Sequence, residues 1–339
     1  MKSSRVTLKD IAKECGYSVN TVSRALRGDK RLSEESRILI RETADHMGYI
    51  PNTMASSLRS GRSRMIAVIV NDLHNQHYCD LINRMDRELR SKNYNLMILC
   101  MQLEDSLAEK LIHTAISLSV DGILYFPSFG QRHYIEYMTA NHMPYVLLDR
   151  RVSDLETDTV RCDDEQGGYL AGQHLIELGH RRFLYLSGVD LSSSQIDRLN
   201  GFMRAIRESG IPENHVQVVP GYQVEDALSS NSLSNLILPG EYTAVVCFRD
   251  EVAYPVMRAL QKHGRSIPED ISVISFDNLY AEDPSRPAVT SIYSRDQNIA
   301  ALGVQMLLER IENAGIPPRN VVLPVCVFDH GTTAPVRER

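Results

Sequence analysis

The stretch "VTLKDIAKECGYSVNTVSRALRG", residues 6 to 28, breaks into two short helical segments at a glycine. Thr7 with Asp10 three residues later has the spacing of a helix-opening capping box, and Leu8, Ile11 and Ala12 then recur at helical intervals. Gly16 ends the first segment, and Ser18 caps a second in which Val22 and Leu26 face inward. That leaves Val19, Asn20, Ser23, Arg24 and Arg27 on the outer face. An amide and a guanidinium can each make paired hydrogen bonds to a base edge, and a small apolar side chain can meet a thymine methyl, so this face has the chemistry of a DNA groove reader. A third helix is expected from Ser33, with Glu34 and Glu35 in the first turn where the helix dipole favours negative charge. Its apolar side is Ile40, Ala44 and Met47, and Gly48 stops it. Three helices in about 45 residues suit a helix-turn-helix head. An unrelated small bundle with a solvated basic face fits the same spacing.

Charge separates this head from the rest of the chain. Up to Arg64 there are 13 Lys or Arg against 7 Asp or Glu, whereas the remainder has 24 against 36, within a chain of net charge -6. A basic head before an acidic body is the asymmetry expected of a nucleic-acid-binding unit joined to something else. No apolar run approaches the ~20 residues needed to span a bilayer, and "MKSSRVTLKD" lacks a signal-peptide core, so a cytoplasmic protein without membrane contact is expected. The six cysteines are far apart with no C-x-x-C pair, which favours reduced thiols over zinc or redox chemistry.

The order and spacing from Val6 to Gly28, followed by "GYIPNTMASSLRSG" at 48 to 61, resemble the signature of the LacI/GalR family of bacterial transcriptional regulators. The resemblance implies base-reading positions at Val19, Asn20 and Arg24, with Thr7, Ser18, Thr21 and Ser23 anchoring phosphates or capping helices. It also makes residues 51–63 a hinge helix that pairs with its copy from a second subunit. Asn52 and Ala55 would lie against the minor groove there, Leu58 would wedge between base pairs, and Arg59 would follow it into the groove. Two turns of helix are unstable alone, so this segment should order only when held. A flexible linker with solvated arginines is the plainer reading of the same residues. The resemblance further implies a homodimer, with a tetramer left open, on near-palindromic double-stranded operator DNA.

From Met65 onward, apolar runs alternate with amphipathic stretches: "MIAVIV", "NLMILCM", "DGILYFP" and "PYVLLD", then "RFLYLSG", "TAVVCF" and "ISVISFD". This is the pattern of an α/β protein with parallel sheets covered by helices, in two series and therefore two lobes. "HLIELGHRRFLYLSG", "SGIPENHV" and "SIPEDISVISFDN" match family phrases. By the resemblance the body is like a periplasmic binding protein. Residues 1–50 would be the head and 64–339 the effector-binding and dimerisation domain. One lobe would take about 64–162 and 294–322, the other 163–293 and 323–339.

Ligand is expected where strand ends face the crevice. There the sequence places Asp72, Asp149, Arg150, Ser192, Ser194, Arg198, Arg249, Asp250 and Asp277, with His77 and Tyr78 opening a helix after the first strand. Carboxylates and guanidinium groups suit paired sugar hydroxyls, and an aromatic ring can cover a sugar's apolar face. Arg198 and Asp277 match the family's effector-contacting positions most firmly. The chain departs from the family in having Arg249-Asp250 where Asn-Asp is common, and Ser275 where glycine precedes Phe276. Three arginines converging on one cleft would favour an anionic sugar derivative, while the same arginines paired with carboxylates would leave a neutral sugar.

"HNQHYCD" at 74 to 80 has the residue types of a metal site but no second ligand cluster, so no metal and no cofactor is expected. G-x-S-x-G, G-x-x-x-x-G-K-[ST] and G-x-G-x-x-G are all absent, which removes the usual hydrolase, triphosphatase and dinucleotide signatures and argues against an enzyme. Gly167 and Gly168 in "DEQGGYLAG" read as packing positions in a helix. The expectation is a ligand-responsive transcriptional regulator, most simply a repressor. Control by a protein partner docking on the body is the alternative.

Overall fold

The computed structural model describes residues 6–50, 61–102, 104, 106–128, 130–152, 155–188, 192–219, 242–279, 281, 287–294 and 298–336. The chain divides into two compact units, Met1–Ser63 and Arg64–Arg339.

In the first unit, helices α1 (Leu8–Cys15), α2 (Val19–Leu26) and α3 (Glu34–His46) surround a small core of Ile11, Ala12, Val22, Ala25, Ile40 and Ala44. Each helix begins where a side chain replaces a missing backbone partner. The Asp10 carboxylate accepts from the Thr7 amide at 2.8 Å and hydroxyl at 2.7 Å; Ser18 Oγ accepts from the Thr21 amide and Ser33 Oγ from the Ser36 amide. Gly16, at φ 73°, makes the left-handed turn between α1 and α2 that a side chain would resist.

The second unit contains two six-stranded sheets. One is wholly parallel, in the order β11 (Asn320–Leu323), β5 (Thr159–Cys162), β4 (Tyr145–Leu148), β3 (Gly122–Tyr125), β1 (Met65–Val70), β2 (Asn95–Cys100). The other runs β12 (Cys326–Phe328), β10 (Thr290–Tyr293), β9 (Ser272–Phe276), β8 (Ala244–Cys247), β6 (Phe183–Leu186), β7 (Val216–Val219), with only the β10–β12 pair antiparallel. Helices α4 (Gln76–Ser91), α5 (Leu107–Ser117), α6 (Arg132–Ala140) and α10 (Ile299–Glu312) pack on the first sheet. Helices α7 (Asp164–Glu177), α8 (Ser193–Glu208) and α9 (Asp250–Lys262) pack on the second. Both faces of each sheet are covered. Along β1, Val68 and Val70 enter the core under α4 and α10, and Ala67 and Ile69 enter the core on the opposite face. Such strands must be apolar on every residue, which is why they stand out as unbroken runs.

The chain passes between lobes after Cys162, after Tyr293 and after Leu323. The strand ends that flank them are paired with one another. Leu323 is paired with Cys162 and accepts from the Asp163 amide at 2.9 Å, while Cys326 is paired with Tyr293.

Within the second lobe, α7 and α8 cross at backbone contact. A β-carbon on Gly168 would fall 1.8 Å from the Arg198 carbonyl oxygen, and one on Gly201 would fall 1.8 Å from that of Glu165. These glycines bring Arg198 down onto the start of α7.

The C-terminal segment is pinned to this lobe by His180, which is 2% exposed. Its Nδ1 lies 2.9 Å from Thr243 Oγ1, and its Nε2 lies 2.9 Å from Ser272 Oγ and 3.1 Å from the Ala334 carbonyl. Burial lowers its pKa to about 4, below the ordinary 6.5. The fold therefore prefers the neutral ring: this contribution is complete above about pH 6.5 and is lost as pH falls toward 4, by up to ~3 kcal/mol. Urea titrations of wild type and His180→Asn should show a stability gap that narrows over that interval; a constant gap would refute the assignment.

Candidate DNA-binding face and effector cleft

On the head, the outer face of α2 presents Val19, 41% exposed, with Asn20 and Arg27 exposed beside it and Ser23 and Arg24 half-buried. Arg24 donates from Nε to Asp29 at 2.9 Å. Asp29 is held far below the usual carboxylate range by Arg31 and then Arg24. This pairing fixes the Arg24 side chain through one nitrogen, and among the described residues neither terminal nitrogen has a hydrogen-bond partner. A guanidinium so held is fixed in orientation, with its terminal nitrogens left to donate elsewhere. Thr7 and Ser18 are occupied at helix starts, and Ser18 Oγ also lies 2.8 Å from Thr21 Oγ1. Asn52, Ala55, Leu58 and Arg59 lie outside the described residues.

In the body, the C-terminal ends of the central strands carry a buried ionic cluster. Arg198 on α8 donates from Nε to Asp164 at 2.8 Å, from Nη1 to the Phe248 carbonyl at 2.7 Å and from Nη2 to Asp277 at 3.2 Å. Its guanidinium carbon stands 4.6 Å from the centre of the Phe276 ring. Burial alone would weaken this cation, but Asp164 and Asp277 outweigh it and keep Arg198 charged. Burial pushes Asp164 up to about 6 against the pull of Arg198. From the first lobe, His77 Nε2 meets Asp149 Oδ1 at 3.4 Å. Burial would discharge both groups, yet their mutual attraction prevails: His77 is raised to about 9 and Asp149 lowered to about 2. Both also sense Arg198, so the two pairs form one electrostatic unit. Arg150 completes it at 9% exposure, donating from Nη1 to the Pro127 carbonyl at 3.3 Å. With the Asn71 amide turned to satisfy its neighbours, its oxygen accepts from the same nitrogen at 3.0 Å.

The structure thus gathers His77, Asp149, Arg150, Arg198 and Asp277. Other residues singled out in the sequence have different tasks. Asp72 closes a turn by accepting from the His74 amide at 2.8 Å. Tyr78 is 2% exposed, with its ring 4.8 Å from that of Phe126 in the lobe core. Ser192 and Ser194 bond each other at 3.1 Å at the start of α8. Asp250 ties down strand ends, accepting from Ser275, from Ser291 Oγ at 2.9 Å and from the Leu279 amide at 2.7 Å. Burial pushes it up to about 7 despite these bonds. The serine found where the family has glycine is therefore a partner of Asp250.

Arg249 pairs with Glu251 at 3.2 Å, and Glu251 reaches across the cleft to accept from the Gln76 amide at 2.9 Å. A second bridge joins Arg151 to Asp197 at 2.9 Å and the Arg151 amide to Ser193 Oγ at 3.0 Å. Asp164, Glu251, Arg151 and Asp197 carry no signal of these roles in the sequence. In "DEQGG" Asp164 looks like any acidic residue in a first helical turn, and only the α7–α8 crossing reveals its partner. His74 is exposed on the Asp72 turn while His77 is buried toward Asp149, so the two histidines do not converge. Among the described residues no group of three or more His, Cys, Asp or Glu is placed to hold a metal ion.

Comparison with known proteins matches residues 7–52 to the family described as bacterial regulatory proteins, lacI family, and residues 173–333 to the periplasmic binding protein-like domain. The chain thus joins a LacI-family helix-turn-helix domain to a periplasmic binding protein-like domain. It is 27% identical over 307 residues to the transcriptional repressor PurR of Actinobacillus pleuropneumoniae, covering 90% of this chain and 91% of that protein. It is 26% identical over 344 residues to the regulator DegA of Bacillus subtilis, covering 98% and 99%. Among solved structures, the lac repressor dimer bound to operator and an anti-inducer superposes with TM-score 0.85 at 22% identity, covering 98% of this chain and 100% of that one, which bears on the fold. A LacI-family regulator from Enterococcus faecium with bound ribose gives TM-score 0.72 at 27% identity, covering 80% and 100%. These relatives are transcriptional regulators, and this LacI-family chain is a DNA-binding regulator of the same kind. Among the described residues no helix is long and apolar enough to cross a membrane.

Proposed function

We propose that this LacI-family chain is a cytoplasmic repressor that binds a near-palindromic operator as a homodimer and is controlled by a neutral, hydroxyl-rich effector such as a sugar. The observation that carries the effector reading is the charge balance of the cleft. Arg198 already serves Asp164 and Asp277, His77 serves Asp149, Arg249 serves Glu251, and Arg150 donates to the Pro127 carbonyl and the Asn71 amide oxygen while adding to the field that holds Asp149 charged. An anion entering here would meet carboxylates whose cations are committed, whereas hydroxyls can accept from the remaining Arg198 N–H groups and donate to Asp149 and Asp277. The bound ribose of the Enterococcus faecium relative supports the same class. Calorimetry with matched neutral sugars, sugar phosphates and uronates tests it. Neutral ligands should bind tighter, and preference for the acidic ones would overturn the assignment.

Regulation would follow from differential affinity: an effector preferring the lobe angle incompatible with paired heads on DNA releases the operator, and one preferring the compatible angle tightens it. On the head, Arg24→Ala should cost about 1–3 kcal/mol at the operator and relax base preference. Lys9→Ala should weaken all duplexes alike. Binding titrations on operator and scrambled duplex separate the two.

Dimerisation is supported by the outer edge of the first sheet, where among the described residues no strand lies beyond β2 and Ile98 is 47% exposed beside α4. Ile98→Lys should raise the dimer dissociation constant at least about tenfold in sedimentation equilibrium. An unchanged constant would place the interface elsewhere.

A further inference from the structure

Strand β4 leads at its C-terminal end into Asp149 and the cleft. At the other end, about 13 Å away at 3.3 Å per residue, Tyr145 lines a separate cavity of about 570 Å³. This is within the usual size of small-molecule sites. Its walls are the last turn of α6, the approach to β4, the segment leading into β5 and the end of α10, with Ile135, Met143, Pro144, Leu155 and Pro318 supplying apolar surface.

The ionisable side chains around it other than Tyr145 are Glu136, His142, Glu156, Asp158 and Arg310. Arg310 is consumed within the protein. Nε donates to Asp158 at 2.9 Å, Nη1 to the carbonyls of Ala314 and Ile316, and Nη2 to that of Pro317. Asp158 also accepts from the Arg319 amide at 2.9 Å. Glu136 pairs with Arg132 on the outer face of α6 at 2.8 Å. Glu156 is exposed at the rim, and among the described residues no cation pairs with it. The cavity therefore combines an apolar interior with an uncompensated carboxylate and a cation four of whose five N–H groups are engaged within the protein.

We propose that this cavity is a second small-molecule site, distinct from the cleft, for an amphipathic cation: an apolar body seated on Met143, Leu155 and Pro318 with an ammonium group facing Glu156. The site does not depend on the identity of the cleft ligand. Because β4 and β5 run from this cavity to Asp149 and to the Asp163–Asp164 turn, a ligand here braces the strands that carry half of the cleft cluster.

The full chain is titrated with 2-phenylethylammonium, 2-phenylethanol and 3-phenylpropionate by saturation-transfer NMR and calorimetry. The ammonium compound should bind in about the millimolar range, about three- to fivefold tighter than the alcohol, and the carboxylate should not bind. Glu156→Gln should reduce the ammonium compound to the affinity of the alcohol. Ala140→Trp, at an exposed position on the cavity wall, should abolish binding while leaving the melting temperature unchanged, and Asp277→Asn in the cleft should leave binding unchanged. Equal binding of the carboxylate, persistence in Ala140→Trp, loss in Asp277→Asn, or failure of all three probes to bind would each overturn the proposal.

Discussion

Arg198→Met is expected to lower the stability of the chain by about 3–5 kcal/mol and to eliminate the response to any cleft ligand. Removing one member of a buried ionic group is costly because its partners must either stay charged without compensation or take up protons. Here the stranded groups are Asp164 and Asp277, 5% and 7% exposed, and the Phe248 carbonyl also loses its donor. Methionine roughly preserves the apolar contact with Phe276, so the loss reads out charge rather than volume. Urea denaturation measures the first effect. Adding Asp164→Asn to the Arg198→Met variant removes one stranded carboxylate and should recover part of the loss, so an additive double variant would contradict the pairing. Asp277→Asn is milder and serves for function: operator release by ligand should weaken at unchanged DNA affinity. A regulator controlled by a docking protein would be indifferent to it.

Gly168→Ala should be nearly as damaging, for a different reason. The added methyl would sit 1.8 Å from a backbone oxygen, which cannot rotate aside, so α7 and α8 must separate. Overpacking of this kind costs about 1–3 kcal/mol and more where backbone must move. Separation also pulls Arg198 from Asp164, so effector affinity should fall at least about tenfold, the equivalent of one weakened charge-assisted bond. Gly167→Ala is the internal comparison. Its methyl would meet an Ile292 side-chain carbon at 3.1 Å, a neighbour that can yield, and its cost should be the smaller. Thermal melts of the two variants side by side decide the point; equal melting would mean that the crossing is looser than the geometry requires.

Legibility from sequence depends on which forces act locally. The head is legible because capping groups and apolar spacing lie within a few residues of one another: Thr7 with Asp10, Ser18 with Thr21, Ser33 with Glu34 and Glu35. Strands buried on both faces are legible as unbroken runs, as in β1 and β8. Strands β5 ("TVRC"), β10 ("TSIY") and β11 ("NVVL") leave no such trace. Each is four residues long with polar members, and each becomes a strand because an adjoining strand offers a hydrogen-bonding edge. The cleft cluster divides the same way. Arg198 and Asp277 stand out through family resemblance, whereas Asp164 is joined to Arg198 by a crossing 34 residues away in sequence. Three arginines in one cleft also suggest a preference for anions, which the pairing of Arg198 with Asp164 and Asp277 and of Arg249 with Glu251 opposes, because charge type is visible in a sequence and charge compensation is not.

The three adjacent passages between the lobes act as the spine of a book. With Cys162 paired to Leu323 and Tyr293 to Cys326, the covers can tilt about the line of the spine, but sliding or twisting would have to shear the pairing that holds it together. A ligand that moved the lobes would act chiefly on that one angular coordinate, and a second ligand that biased the same angle would be felt along the same axis.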